Sequence, residues 1–99
     1  MALVTGGARG IGAAVCRRLA RAGCGVCINY YSSAAEAEEL RRELEEGGVR
    51  SFSFQADVTD LPAVKEMFEA IREKFGKLDI LVSNAASGVL RPALKMTTK

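Results

Sequence analysis

The alternation of apolar runs and helical patterns along the 99 residues predicts an α/β fold built on a doubly wound parallel sheet. Four short apolar runs are present, and three of them lack polar alternation, which is typical of strands buried on both faces. Stretches with apolar residues at helical spacing separate these runs, and glycines end the stretches. The predicted element order is therefore β-α-β-α-β-α-β, and right-handed crossovers favour the strand order 3-2-1-4.

The first half of the chain predicts two strands and two helices. Residues 2–4 form the first apolar run, and the helical spacing of apolar residues in 11–22 predicts the first helix. After Gly23, residues 26–28 form a second buried run that extends toward the next tyrosine. Ser33 begins the pattern S-A-A-E, a capping box, which predicts a second helix that ends at a Gly-Gly pair.

The second half predicts two more strands around a third helix. Phenylalanines alternate with serines in residues 49–55, a pattern typical of a strand. A polar turn at 57–60 precedes a helical pattern that ends near Phe75, and Pro62 lies in its first turn, where a missing N–H costs little. Residues 79–82 form the fourth apolar run, and the tail beyond it shows no clear periodicity.

Composition and charge exclude several classes of protein. Lys and Arg total 14 and Asp and Glu total 12, so the net charge is +2, and the two signs are mixed along the chain. This balance argues against binding to nucleic acid or to a membrane surface. No apolar run approaches the roughly 20 residues of a membrane span. Because there is no histidine, triads and zinc sites that need one are excluded.

Three cysteines, an odd number, predict reduced thiols in a cytoplasmic protein rather than a disulfide framework. Cys24 and Cys27 have C-x-x-C spacing. Our interpretation is packing beside or in a strand, because a second ligand pair for a metal is missing from the sequence. We therefore predict no metal site.

A glycine-rich segment, T-G-G-A-R-G-I-G at residues 5–12, lies between the first strand and the first helix. Glycines allow a tight turn and a close approach of the backbone to a ligand. The N-terminus of the following helix presents unpaired N–H groups and the positive end of its dipole. The segment therefore predicts a pyrophosphate site. A turn needed only for tight packing is the alternative interpretation.

The spacing T-G-x-x-x-G-x-G resembles the cofactor turn of the short-chain dehydrogenase/reductase superfamily. Asp57 and Val58, after the third strand, resemble its adenine-contacting pair. The sequence S-N-A-A at residues 83–86 resembles its Asn-Asn-Ala-Gly motif, with Ser83 in place of the first Asn. The resemblance covers essentially the whole chain. It implies a Rossmann-like fold, an oxidoreductase with a nicotinamide cofactor, and a homo-oligomeric parent protein.

A narrower resemblance lies late in the chain. Residues 84–92, N-A-A-S-G-V-L-R-P, are similar to a loop of the NADPH-dependent enoyl-acyl-carrier-protein reductases of the third type, and Asn29-Tyr30 also fits them. This resemblance implies an enoyl or 3-oxoacyl thioester as substrate, and hence a role in fatty-acid synthesis.

The residues after the second strand favour NADP(H) over NAD(H) as the cofactor. Residues 29–33, N-Y-Y-S-S, contain no acid, whereas an NAD site usually places a carboxylate on the ribose here. Hydroxyls and a guanidinium accept a 2′-phosphate, and Arg9 can supply the guanidinium. In the family an arginine at this position accompanies NADP, although Ser32 stands near where a further basic residue often lies. The alternative for Arg9 is a solvated loop arginine.

The predicted cofactor-binding residues comprise the glycine turn and the ends of the later strands. They are Thr5, Gly6, Gly7, Ala8, Arg9, Gly10, Ile11, Gly12, Asn29, Tyr30, Tyr31, Ser32, Asp57, Val58, Asn84, Ala85 and Ala86.

Catalytic residues are not predicted within the chain. The family reaction uses a Ser and a Tyr-x-x-x-Lys pair, but the two tyrosines, Tyr30 and Tyr31, are followed four residues later by alanines. The fourth strand is also apolar, like an inner strand, yet the predicted order places it at an edge. We therefore expect residues 1–99 to be one incomplete NADP-binding domain of a larger reductase.

Three hypotheses about function remain open at this point. The first is the cofactor-binding portion of an NADPH-dependent reductase, which a longer reading frame with the catalytic residues would support. The second is a short nucleotide-binding module without turnover. The third is an interaction remnant that binds no nucleotide, whose folding a partner over the fourth strand would rescue.

Overall fold

The computed structural model describes residues 1–84, in which four strands alternate with three helices as predicted. The elements are β1 (Ala2–Thr5), α1 (Gly10–Arg21), β2 (Val26–Tyr30), α2 (Ala34–Glu46), β3 (Ser51–Gln55), α3 (Leu61–Phe75) and β4 (Ile80–Ser83).

The four strands form one parallel sheet in the order β3-β2-β1-β4, which confirms the predicted topology. On β1, Val4 lies opposite Ile28 of β2 on one side and Val82 of β4 on the other. Because all strands run in one direction, their carboxyl ends meet at the same edge of the sheet. Within residues 1–84, β4 is an edge strand, and its first residue, Ile80, is 37% exposed.

Two hydrophobic clusters cover the two faces of the sheet. Val4 and the buried leucines of α2 belong to the first cluster, which also includes α1. Leu3, the neighbour of Val4, belongs to the second cluster with Met67 and Ile71 of α3. Successive strand residues therefore face opposite helical layers, which is why the first three residues of β1 and of β2 are apolar and fully buried.

The start of α2 corrects one sequence prediction. Ser33 is the N-cap residue, but its side chain makes no capping hydrogen bond, so the predicted capping box does not form. Its backbone ψ of 53° is not the extended conformation that aims a serine oxygen at the first free N–H groups of a helix. Asp60 does cap α3, because its carboxylate accepts a hydrogen bond from the N–H of Ala63 at 3.4 Å.

Strand β3 begins at residue 51, two positions later than predicted. The N–H of Val49 donates to the carbonyl of Leu44 at 3.0 Å, so this residue still completes the end of α2. Val49 is half-buried against the first cluster, which explains the apolar residue in a non-strand position.

All three cysteines are free thiols. Cys16 and Cys27 are buried, and burial raises the pKa of each thiol to about 12. They therefore act as small apolar residues at neutral pH.

None of the helices between residues 1 and 84 has the length and apolar character needed to cross a membrane.

Candidate functional site

The glycine turn lies where β1 ends and α1 begins, at the carboxyl edge of the sheet. Gly6 and Gly10 have positive φ angles of 61° and 59°, a conformation that side chains rarely adopt. A Cβ built on Gly10 would meet no atom within 4 Å, so this side of the turn faces open space. The backbone therefore curves around a space that a ligand can enter.

Gly12 is required for a different reason, namely close packing inside the turn. A Cβ on this residue would lie 2.3 Å from the carbonyl oxygen of Gly6 and 2.6 Å from the side-chain carboxamide nitrogen of Asn84. The first turn of α1 thus rests directly on the glycine turn. This contact brings the N-terminus of the helix to the edge of the open space.

The N-terminus of α1 has free donors. Arg9 is the N-cap residue and makes no side-chain capping bond, and the first turn of the helix contains no acidic residue. The first N–H groups of a helix have no partner within the helix, and its dipole is positive at this end. This arrangement favours an anion such as a diphosphate.

Asn29, near the end of β2, makes hydrogen bonds that fix the position of the glycine turn. Its carboxamide oxygen accepts a hydrogen bond from the N–H of Gly6 at 3.2 Å. Its carboxamide nitrogen donates to the carbonyl oxygens of Ala56 at 3.1 Å and Phe54 at 3.4 Å. Only 2% of the residue is exposed. The side chain predicted to bind cofactor is thus engaged with protein, and it positions the turn.

Thr5 and Asn84 join the turn to the end of β4. The N–H of Asn84 donates to the hydroxyl of Thr5 at 3.0 Å, and that hydroxyl donates to the carbonyl of Val82 at 3.3 Å. The Asn84 carboxamide nitrogen also donates to the carbonyl of Gly6 at 3.0 Å. Sequence analysis placed both residues at the site, and their bonds show that they fix the turn against the sheet.

A cavity of about 310 Å³, here called the turn cleft, opens beside the glycine turn. The residues that line it come from the turn, from the end of β2 and from the position after β4. They are Gly6, Ala8, Arg9, Tyr30, Tyr31, Ser32, Ser33 and Asn84. From residues 1–84 the lining receives hydroxyls, a carboxamide and one guanidinium, but no carboxylate.

Among residues 1–84, Arg9 is the one charged side chain that lines the turn cleft. It is exposed and makes no ion pair or hydrogen bond with any side chain among residues 1–84. Its guanidinium is therefore available to an anionic ligand. Because a guanidinium presents several N–H donors in one plane, it matches a phosphate group well.

Ile11, Asp57 and Val58 were also predicted to bind the cofactor, and they are not among the residues that line the turn cleft. Ile11 is 75% exposed at the start of α1. Asp57 follows β3, and two hydrogen bonds from Thr59 hold the pKa of its carboxyl below the usual range. Val58 beside it is half-buried. Ala85 and Ala86 lie outside the described residues.

Cys16 contacts the glycine turn. The sequence analysis did not predict this residue as part of the site. Its thiol donates to the carbonyl of Gly7 at 3.7 Å, and a Cβ on Gly7 would lie only 3.1 Å from the sulfur. The sequence signal was available, because Cys16 follows Gly12 by four residues and so shares its face of α1.

Comparison with known proteins adds a second line of evidence. The family model described as short chain dehydrogenase matches residues 1–99. A 3-oxoacyl-[acyl-carrier-protein] reductase of Staphylococcus aureus is 44% identical over 98 residues, which are 99% of this chain and 39% of that protein. A hydroxynaphthalene reductase-like protein of Metarhizium majus is 39% identical over 97 residues, which are 98% of this chain and 36% of that protein.

Solved structures agree with the sequence matches. A short chain dehydrogenase from Burkholderia cenocepacia in complex with NADP aligns with a TM-score of 0.83 and 48% identity, over 87% of this chain and 35% of that one. A blue fluorescent protein from a metagenomic library, in complex with NADPH, aligns with a TM-score of 0.83 and 43% identity, over 87% of this chain and 36% of that one. This chain thus spans little more than a third of the length of the relatives it matches.

Proposed function

Because this chain belongs to the short-chain dehydrogenase family, we propose that it binds NADP(H) at the turn cleft and forms the cofactor-binding portion of a reductase. The observation that carries the proposal is the lining of the turn cleft, which combines a free guanidinium with hydroxyls and contains no carboxylate. The proposal treats residues 1–99 as one incomplete nucleotide-binding domain.

The glycine turn would hold the diphosphate of the dinucleotide. The positive φ angles of Gly6 and Gly10 and the free N–H groups at the start of α1 provide donors around an open space. The bonds that Asn29 and Asn84 make to Gly6 keep those donors in place without the ligand. Such preorganisation reduces the entropy that is lost on binding.

The adenosine end of the dinucleotide would lie where β2 and β3 end. Arg9 and the hydroxyls of Tyr31 and Ser32 would receive the 2′-phosphate, which carries negative charge at neutral pH. Asp57 and Val58 would contact the adenine, as the family resemblance implies. When bound, the nicotinamide supplies a hydride for reduction.

The choice of NADP(H) over NAD(H) is testable by titration of the purified chain with each reduced dinucleotide. We expect NADPH to bind more tightly than NADH, and Arg9→Ala to weaken NADPH binding about thirty-fold, which corresponds to about 2 kcal/mol for a charged hydrogen-bonded pair. The affinity for NADH should change little. Arg18→Ala removes the same charge from an exposed position on α1 and serves as the control. Equal or tighter binding of NADH would contradict the proposal.

For the parent protein we propose reduction of a 3-oxoacyl or enoyl thioester in fatty-acid synthesis. The 44% identity to a 3-oxoacyl-[acyl-carrier-protein] reductase supports this substrate class. The resemblance of residues 84–92 to an enoyl reductase loop favours the second of the two reactions. Homo-oligomeric assembly of the parent and a cytoplasmic location remain predictions of the family resemblance.

A second candidate is a nucleotide-binding module without turnover. It is favoured by the sequence itself, since neither Tyr30 nor Tyr31 has a lysine four residues later. The two candidates differ in the longer reading frame, which supplies the catalytic Ser and Tyr-x-x-x-Lys only for a reductase. An assay of NADPH oxidation with 3-oxoacyl and enoyl thioesters tests the 99-residue chain itself. We expect the 99-residue chain to bind NADPH without oxidising it. Reductase turnover by this chain would show that other residues perform the proton transfer.

A further inference from the structure

A second cavity adjoins the glycine turn, because Ala8, Arg9 and Gly10 contribute to its lining. It has a volume of about 260 Å³ and lies between α1 and α2, and we call it the helix cleft. The residues that line it are Ala8, Arg9, Gly10, Ala13, Arg17, Glu36, Glu39, Leu40 and Glu43. Arg9 and Ala8 therefore line both cavities, and Arg9 is the one charged residue common to the two.

Two of the five charged side chains that line the helix cleft, Arg17 and Glu43, form an ion pair with each other. The guanidinium of Arg17 donates to the carboxylate of Glu43 from Nε at 2.7 Å and from Nη2 at 3.2 Å. This pair holds the pKa of the Glu43 carboxyl below its usual range. The charge of Glu39 also acts on Arg17 and contributes to the raised pKa of that arginine.

Three charged groups of the helix cleft make no ion pair among residues 1–84, and the charge of one of them, Glu39, acts on Arg17. The other two are Arg9, at the N-cap of α1, and Glu36, in the first turn of α2. Both side chains are exposed and so can change rotamer at little cost. The guanidinium of Arg9 thus has a carboxylate on one side and the hydroxyls of the turn cleft on the other.

We propose that Glu36 is a specificity-determining residue that competes with the 2′-phosphate of NADPH for the guanidinium of Arg9. The inference rests on the proposed binding of NADP(H) at the turn cleft. In the free protein the carboxylate of Glu36 attracts the guanidinium of Arg9 across the helix cleft without forming an ion pair with it. On binding of NADPH, Arg9 turns to the phosphate, and the negative charge of Glu36 remains close to that of the phosphate.

Both effects of Glu36 act against NADPH. The attraction to Glu36 must be given up before Arg9 reaches the phosphate, and two negative charges then share one cation. NADH has a hydroxyl in place of the phosphate and does not require the guanidinium. Glu36 therefore reduces the preference for NADPH without changing the affinity for NADH.

The test compares dissociation constants of NADPH and NADH for the whole 99-residue chain and its variants. Glu36→Gln keeps the size of the side chain and removes its charge. We expect this variant to bind NADPH about two- to five-fold more tightly, the range of an exposed ion pair, and NADH with unchanged affinity. Because salt screens exposed charges, the gain should shrink at high ionic strength.

Glu46→Gln is the matched control, because it removes the same charge from the same helix. Its position ten residues further along places it about 15 Å away, beyond the Debye length of about 8 Å at physiological salt. We expect this variant to bind both dinucleotides like the wild type. Circular dichroism verifies that both variants keep their helix content.

The double variant Arg9→Ala with Glu36→Gln isolates the coupling of the two residues. If Glu36 acts through Arg9, removal of its charge has a smaller effect on NADPH binding once Arg9 is alanine. Unchanged NADPH affinity in Glu36→Gln, or an equal gain in the presence and absence of Arg9, would overturn the inference while leaving the proposed function intact. Failure of the wild type to bind NADPH would instead overturn the proposed function.

Discussion

Replacement of Asn29 by alanine tests whether this buried side chain fixes the glycine turn. Asn29 is 2% exposed, and its side chain connects the glycine turn after β1 to the end of β3. Asn29→Ala removes an acceptor from the N–H of Gly6 and a donor from the carbonyl of Ala56, and it leaves a small cavity. Dinucleotide binding should weaken as well, because nothing else among these bonds fixes the Gly6 amide.

The size of the effect follows from the bonds that are lost. The bonds at 3.2 Å and 3.1 Å contribute about 1 kcal/mol each, and the bond at 3.4 Å contributes less. An unsatisfied buried N–H or carbonyl adds a desolvation penalty of about 1–3 kcal/mol. We therefore expect the free energy of unfolding to fall by about 3–5 kcal/mol, a large share of the stability of a small domain.

Urea unfolding followed by circular dichroism measures this loss, provided that the slope of the transition is unchanged. Gln55→Ala is the control, since this side chain also donates one hydrogen bond, to the carbonyl of Tyr31 at 3.0 Å, but at an exposed position. We expect the control to change stability by less than about 0.5 kcal/mol. If Asn29→Ala changed stability as little as the control, the assignment of Asn29 as the support of the turn would be wrong.

Three further predictions concern the glycine turn, the buried thiols and the ion pair between Arg17 and Glu43. Gly12→Ala should destabilise the chain and abolish dinucleotide binding, because its Cβ would lie 2.3 Å from the Gly6 carbonyl oxygen. Gly10→Ala has free space around its Cβ and should lower the free energy of unfolding only by the roughly 1–2 kcal/mol of a left-handed backbone. An equal loss of stability in both variants would contradict this reasoning. Thiol titration at pH 8 in the folded state should leave Cys16 and Cys27 unmodified, since burial raises the pKa of each to about 12, whereas both should react in urea. Arg17 lowers the pKa of Glu43 below its ordinary value of 4.5, so the pair should stabilise the fold above about pH 5 and lose this contribution as the pH falls through the lowered pKa. The stability difference between wild type and Glu43→Gln, measured from pH 7 to pH 3, should therefore shrink on acidification, and a constant difference would refute the ion pair.

The fold could be predicted because its local and global signals agree. Strands covered on both faces require continuous apolar runs, and helices that cover a sheet require an apolar stripe. Parallel strands require right-handed crossovers, which restrict the strand order to very few possibilities. The error at Ser33, where the predicted capping box does not form, arose because the backbone angle at a helix start depends on the incoming chain as well as on residue type.

The sequence predicted where the candidate site lies, but not the contacts that its residues make with one another. Asn29 and Asn84 both lie at strand ends, where a cofactor contact was predicted from the sequence. In the structure the carboxamides of both residues bond to Gly6. A sequence shows that a polar side chain lies near a turn, but which partner it finds depends on strands that are distant along the chain.

The sequence by itself determined the order of the elements, the parallel sheet and the place of the glycine turn, because each depends on periodicity and on residue types within one segment. Only the tertiary structure decided which side chains line the turn cleft, which ones hold the turn, and that Arg9 stands between a cleft without carboxylates and the carboxylate of Glu36. The physical reason is that these relations join residues from β1, β2, α2 and β4, and such contacts exist only once the sheet has assembled.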